Sequence, residues 1–128
     1  RSEEAGLQAS DIGCICANAN STQAADKIET AAVKEVFGEH ARQIPLSAVK
    51  SMFGETYSVS GALAAAAGIG ILQGDFIPPT VNYQVPDPDC DLDVVPNHGR
   101  AARVEHVLVN NFSPTGSHAC VILRRYHV

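Results

Sequence analysis

Four cysteines, five histidines and a lysine in the string Lys50-Ser-Met-Phe-Gly-Glu55 are the groups of this chain that could do more than hold it together. A thiolate is a nucleophile or a metal ligand, and an imidazole moves protons near neutral pH. Cys14 and Cys16 stand two apart in the apolar run IGCICAN. On a strand they share one face, and such neighbours seldom bridge. A zinc site wants paired CxxC motifs, and none is present. We therefore expect buried, reduced thiols, with no metal and no bound cofactor. His40, His98, His106, His118 and His127 are scattered singly, and surface or strand-face positions are the expectation for each. Lys50 is expected to form a structural ion pair with Glu55 or with Glu29.

Several elements must position these groups. Ser2 to Asp11 reads as a helix end, a Gly stop and a turn. Ile12 to Ala17 is a continuous apolar run of strand length, the pattern of a strand buried on both faces. Ser21 or Thr22 can cap a helix over 26–37, which puts Ile28, Ala32 and Val36 at helical spacing, with Gly38 as its stop. A second short strand is expected at 44–49, then a loop, KSMFGETYS. Ser60 to Leu72 reads as a helix too small-sided and apolar to be exposed, stopped by Gly74. Residues 75–100 carry five of the seven prolines and many aspartates, which predicts a surface excursion without regular helix. Val104 to Val109 and Ala119 to Leu123 form a hairpin around NNFSPTGSH. The order is βαβα followed by two strands. The first two strands need a crossover and should be parallel; the last two should be antiparallel.

With 128 residues, 45% of them apolar and 18% charged, the chain suits one globular domain with a real core. A net charge of −5 argues against nucleic acid, whose binding rests on Lys and Arg neutralising phosphates. It argues against an acidic membrane surface too. The apolar stretch Gly61 to Leu72 is too short to cross a bilayer. The acidic Ser2-Glu3-Glu4 does not start a signal peptide, so the expected location is the cytoplasm. The start lacks Met, and we expect that a longer protein lies upstream.

Four segments, taken in order, resemble β-ketoacyl synthases of the thiolase superfamily. Asn18-Ala-Asn-Ser-Thr22, with Asp26, Glu29 and Val36-Phe-Gly38 after it, resembles the family's HGTST motif and following helix. Lys50-Ser-Met-Phe-Gly54, with Gly61-Ala after it, resembles KSxxGH. Ile77-Pro-Pro-Thr-Val-Asn82, Asp87-Pro-Asp-Cys-Asp-Leu-Asp93 and Val95-Pro-Asn97 form the third. Asn110-Asn-Phe-Ser-Pro-Thr-Gly116 falls at the family's Gly- and Phe-rich gating turn. The resemblance covers nearly the whole chain. It implies an α/β thiolase-like fold of two stacked, duplicated halves, of which residues 1–128 are most of the C-terminal half. The N-terminal half, which carries the nucleophilic Cys, is missing, and none of the four cysteines matches it.

The resemblance also states what chemistry is at stake. A decarboxylative Claisen condensation needs a thiolate to hold the acyl chain, donors for the thioester oxyanion, and neutral imidazoles for the enolate left when carbon dioxide departs. Both family His positions have changed: Asn18 stands at the first and Glu55 at the second. An amide cannot exchange a proton near neutral pH, and a carboxylate would repel the enolate. The family's Lys is retained as Lys50. The gating-turn positions are Phe112, Ser113, Pro114, Thr115 and Gly116, with Pro114 at the family's second Phe and Ser113 at its neighbouring Gly. The pattern Gly54-Glu-Thr-Tyr57 resembles the non-condensing chain length factors, or KSβ subunits, of type II polyketide systems. That implies a KSα-type ketosynthase subunit, the missing half and an acyl carrier protein as partners. An active synthase with an atypical site and an unrelated binding module sharing half the fold are the rival readings. A Cys at the upstream nucleophile position would favour the enzyme; Gln, Ala or Glu there would favour the partner subunit.

Overall fold

A computed structural model describes residues 4–127, so the expected helix end at Ser2–Glu3 lies outside the described residues. The central strand β1 is Cys14–Cys16, flanked on both sides. It pairs in parallel with β2, Leu46–Ser47, and with β5, His106–Phe112. β5 in turn pairs antiparallel with β6, His118–Arg124, giving the order β2-β1-β5-β6. The parallel and antiparallel expectations both hold. The ladder is short at β1, yet Ile12 and Ala17 beyond it are also buried, so the whole apolar run is core.

The two faces of this sheet bury two clusters. One holds Ile12, Ile15 and Leu108 against Val33, Phe37, Ala41 and Ile44. The other holds Cys14, Cys16, Val107 and Val109 against Ala64, Ile71 and Leu72. The alternation along β1 and β5 is that of a strand with a helix on each side.

Helix α1 is Gln23–Phe37, with Thr22 as its extended N-cap and Gly38 at φ 54° ending it. Its core face is not the stripe of Ile28, Ala32 and Val36. Glu29, Thr30, Val33 and Phe37 are buried, whereas Ile28 and Val36 are each 66% exposed. Thr30, Val33 and Phe37 satisfy the helical period as well as Ile28, Ala32 and Val36 do, and the sheet takes the face that carries the Phe.

After β2 the expected loop begins with a short helix, α2, Lys50–Phe53. β2 ends early because the chain bonds sideways to the next excursion: Ser47 Oγ donates to the Pro78 carbonyl at 2.7 Å and Ala48 N to Thr80 Oγ1 at 3.1 Å. Helix α3 is Ser60–Gly74, ended by Asp75 in the left-handed region rather than by Gly74. Its Ala64, Gly68, Ile71 and Leu72 lie on the sheet, but Ala62, Ala66, Ile69 and Gly70 are exposed. The expected burial holds for one side only. With the turn before it, the helical run Tyr57–Gly74 is long and apolar enough to cross a membrane by length and composition; its packed side is part of the protein core.

The Pro-rich excursion is ordered. Strands β3, Phe76–Ile77, and β4, Arg100–Ala101, pair antiparallel, Ile77 and Val95 are fully buried, and Asp91 pairs with Lys34 and Arg42.

Candidate functional site

β1 delivers Asn18 to the end of the sheet, where its side chain is 1% exposed. The chain then turns away through left-handed Ala19 and Ser21, at φ 34° and 65°, a conformation disfavoured without glycine. Glu29 of α1 holds this turn. Its two oxygens accept the backbone N–H of Asn18 and of Ala19, each at 2.8 Å. Oε1 also accepts Asn110 Nδ2 at 2.9 Å. Burial raises the Glu29 pKa, against the N–H donors of Ala19 and Asn18 and the Asn110 amide.

Lys50, at the start of α2, has a side chain only 8% exposed. Its Nζ donates to Asn18 Oδ1 at 3.1 Å and to Glu55 Oε2 at 2.9 Å. Of the two expected partners Glu55 is the one taken; Glu29 is committed to backbone. Glu55 Oε1 accepts from Tyr57 N at 2.8 Å and from Ser60 Oγ at the first turn of α3. Partial burial acts to raise the Glu55 pKa, but the donors Ser60, Lys50 and Tyr57 N outweigh it and bring it to about 2.

Asn18 Oδ1 accepts a second bond, from Phe112 N at 3.2 Å. Both partners of this oxygen are donors, which settles the amide orientation. Asn18 Nδ2 is buried without a partner among the described residues. The network therefore brings together Asn18, Lys50, Glu55 and the backbone of Phe112. Ser113, Pro114, Thr115 and Gly116 form the exposed tip of the β5–β6 hairpin beside it.

A cleft of about 610 Å³ opens next to the network, lined among others by Asn20, Asp26, Lys50, Glu55, Tyr83 and Cys90. Asp26, Glu29, Glu55 and Asp87 face it against the single ammonium of Lys50. The five histidines stay out of the network: His106 meets the Asp11 carbonyl, His127 meets Glu105, and the His118 ring lies 5.5 Å from that of Phe112. No disulfide joins the four cysteines. Cys14 and Cys16 are fully buried, and burial raises both thiols, Cys16 to about 12. They are poor nucleophiles. Among the described residues no group of three His, Cys, Asp or Glu side chains is placed to hold a metal ion.

Sequence reasoning gave Asn110 and Ser60 no role in the site. Asn110 had a usable signal: it is two residues from buried Leu108, on the strand face that meets α1.

The fold and this network define an α/β domain with a buried polar cluster at the strand ends, and comparison with known proteins names the family. Residues 2–84 match the description "Beta-ketoacyl synthase, C-terminal domain", and the chain belongs to that family. It is 41% identical over 122 residues to nodulation protein E of Rhizobium sp. (strain N33), covering 95% of this chain and 30% of that protein. It superposes on a solved structure described as the ishigamide ketosynthase/chain length factor with a TM-score of 0.93, at 39% identity, over 98% of this chain and 31% of that one. A type II polyketide synthase ketosynthase, solved in complex with its acyl-carrier protein and bound to the hexaketide, gives a TM-score of 0.95 at 33% identity, again over 98% and 31%. The chain thus spans about three-tenths of the length of these relatives. The thiolase-like fold expected from the sequence holds, and the reading as an unrelated binding module falls.

Proposed function

We propose that the assembled protein is a ketosynthase-like subunit of the chain length factor type, which supports condensation of acyl and malonyl carrier-protein thioesters in polyketide or fatty acid biosynthesis without catalysing it. The observation that carries this reading is the Asn18–Lys50–Glu55 network. Where the reaction needs two neutral imidazoles, this site holds an amide and an ionised carboxylate. Glu55 stays charged far below neutral pH and opposes an enolate. Lys50, the one cation present, is already matched by Glu55. The Asn18 oxygen is occupied by two donors. Neither the Asn18 amide nor the ionised Glu55 carboxylate exchanges a proton near pH 7.

The partners follow from the same reading. The outer side of α3 continues into exposed Met52, Phe53, Val59 and Phe76, with an apolar groove of about 370 Å³ between α2 and α3. Apolar patches of this kind mark a covered surface, and the N-terminal half of the same synthase is the cover we assign. A KSα-type ketosynthase completes a heterodimer, acyl carrier protein delivers the chains, and four cysteines without a disulfide suit a cytoplasmic setting.

Reconstitution tests this. The full-length protein mixed with malonyl and acyl carrier proteins should give no elongated product. Adding its KSα-type partner should give product, with the two subunits eluting together. Elongation by the full-length protein alone would instead favour an active synthase with an atypical site.

A further inference from the structure

We infer that Asn18 pins the β5–β6 turn to the Lys50–Glu55 pair, so that residues 113–117 are held in one fixed conformation beside the network. This holds whether or not the assembled protein condenses anything. One oxygen, Asn18 Oδ1, accepts from both Lys50 Nζ and Phe112 N, at 3.1 and 3.2 Å. The shared acceptor sits on a 1% exposed side chain, so losing it leaves a cavity rather than water at that point, and the Phe112 N–H without its partner. Asn18 cannot drift, because Glu29 holds its backbone N–H. The same carboxylate holds Asn110, two residues before Phe112. Two side-chain ties therefore bracket the last rungs of β5, where Phe112 pairs with His118.

The tip itself is closed from within. Ser113 N donates to the Ser117 carbonyl at 2.8 Å and Gly116 N to the Ser113 carbonyl at 3.0 Å. Thr115 N donates to Ser113 Oγ at 3.2 Å, and the Ser113 and Thr115 hydroxyls meet at 2.8 Å. Pro114 has its φ locked by its ring, and Gly116 takes the turn's positive φ of 90° without strain. The buried, unpartnered Asn18 Nδ2 fits the same role: the residue is held for its oxygen, not its amide protons.

Hydrogen–deuterium exchange of the full-length protein, followed in a peptide spanning 110–118, tests the pin. In the unaltered protein the Phe112 amide should be as protected as the interior of β5, and the Thr115 and Gly116 amides should exchange well below free-peptide rates. Asn18→Leu removes the oxygen and should speed Phe112 exchange by about five- to tenfold, the loss of one net hydrogen bond, with α3 amides unchanged. Asn18→Asp keeps an acceptor and should retain the protection. Free-peptide exchange of the unaltered turn overturns the inference, and that measurement decides alone if the Leu variant does not fold. Unchanged Phe112 protection in Asn18→Leu, or equal exposure in Asn18→Asp, overturns it too.

Discussion

Glu55 is the residue at which the fold and the proposed function meet. It links Lys50, the Tyr57 backbone and Ser60 of α3, a structural role in keeping with the proposed non-catalytic reading. Its pKa is lowered from 4.5 to about 2. A depressed carboxylate contributes stability that is complete above the unfolded value and lost as pH falls through the folded one. The stability gap between the wild type and Glu55→Gln should therefore be constant from pH 7 to about pH 5. It should shrink between 4.5 and 2, as read by denaturant melts across pH. At neutral pH we expect Glu55→Gln to cost about 2 kcal/mol, the range for a hydrogen bond to a charged group. Glu29 works with the opposite sign, since its pKa is raised, but it is common to both proteins and cancels in the difference.

The same geometry argues that two imidazoles do not remake an enzyme. Asn18→His with Glu55→His in the full-length protein should give no condensation above a buffer control. An imidazole at position 55 leaves Lys50, 8% exposed at its side chain, without its counter-charge, and Ala19, Ser113 and Pro114 still depart from the family's pattern. Robust turnover would show the surrounding site still competent.

At the scale of elements, α3 depends on close approach to the sheet. A Cβ on Gly68 would stand 3.0 Å from Leu123 Cδ1 and 3.4 Å from Val107 Cγ1 and Val109 Cγ2. Gly68→Val should destabilise by about 1–3 kcal/mol through overpacking, measured as a lowered denaturation midpoint. The elements were largely legible because continuous apolar runs and the Gly and Pro stops are local signals. The core face of α1 was not: two stripes share the helical period, and only the sheet's position selects Val33 and Phe37 over Ile28 and Val36. α2 was hidden for a similar reason, since Ser51 within it and Ser47 and Ala48 just before it are tied to residues 78–81. Within the site, Asn18, Lys50 and Glu55 could be picked out by motif, but the choice of Glu55 over Glu29 and the part of Asn110 required contacts between distant segments.

For the whole molecule, the exposed side of α3 is the feature that most needs a partner. Ala66 is exposed in this chain, so Ala66→Glu should leave the domain's own packing intact. Against a covering N-terminal half it would place a charge in a small-sided interface with no room for it. In the full-length protein we expect a drop in melting temperature and aggregation in sedimentation. An unchanged melt would show that this helix face meets water in the native assembly.

The most direct test of the central claim is carbon dioxide release from malonyl carrier protein by the purified full-length protein, without any partner ketosynthase. With an amide at 18 and an ionised carboxylate at 55, we predict release no faster than the buffer control. Release clearly above that control, abolished by changes at Asn18 or Lys50, would contradict the account and make this chain the C-terminal half of a working synthase.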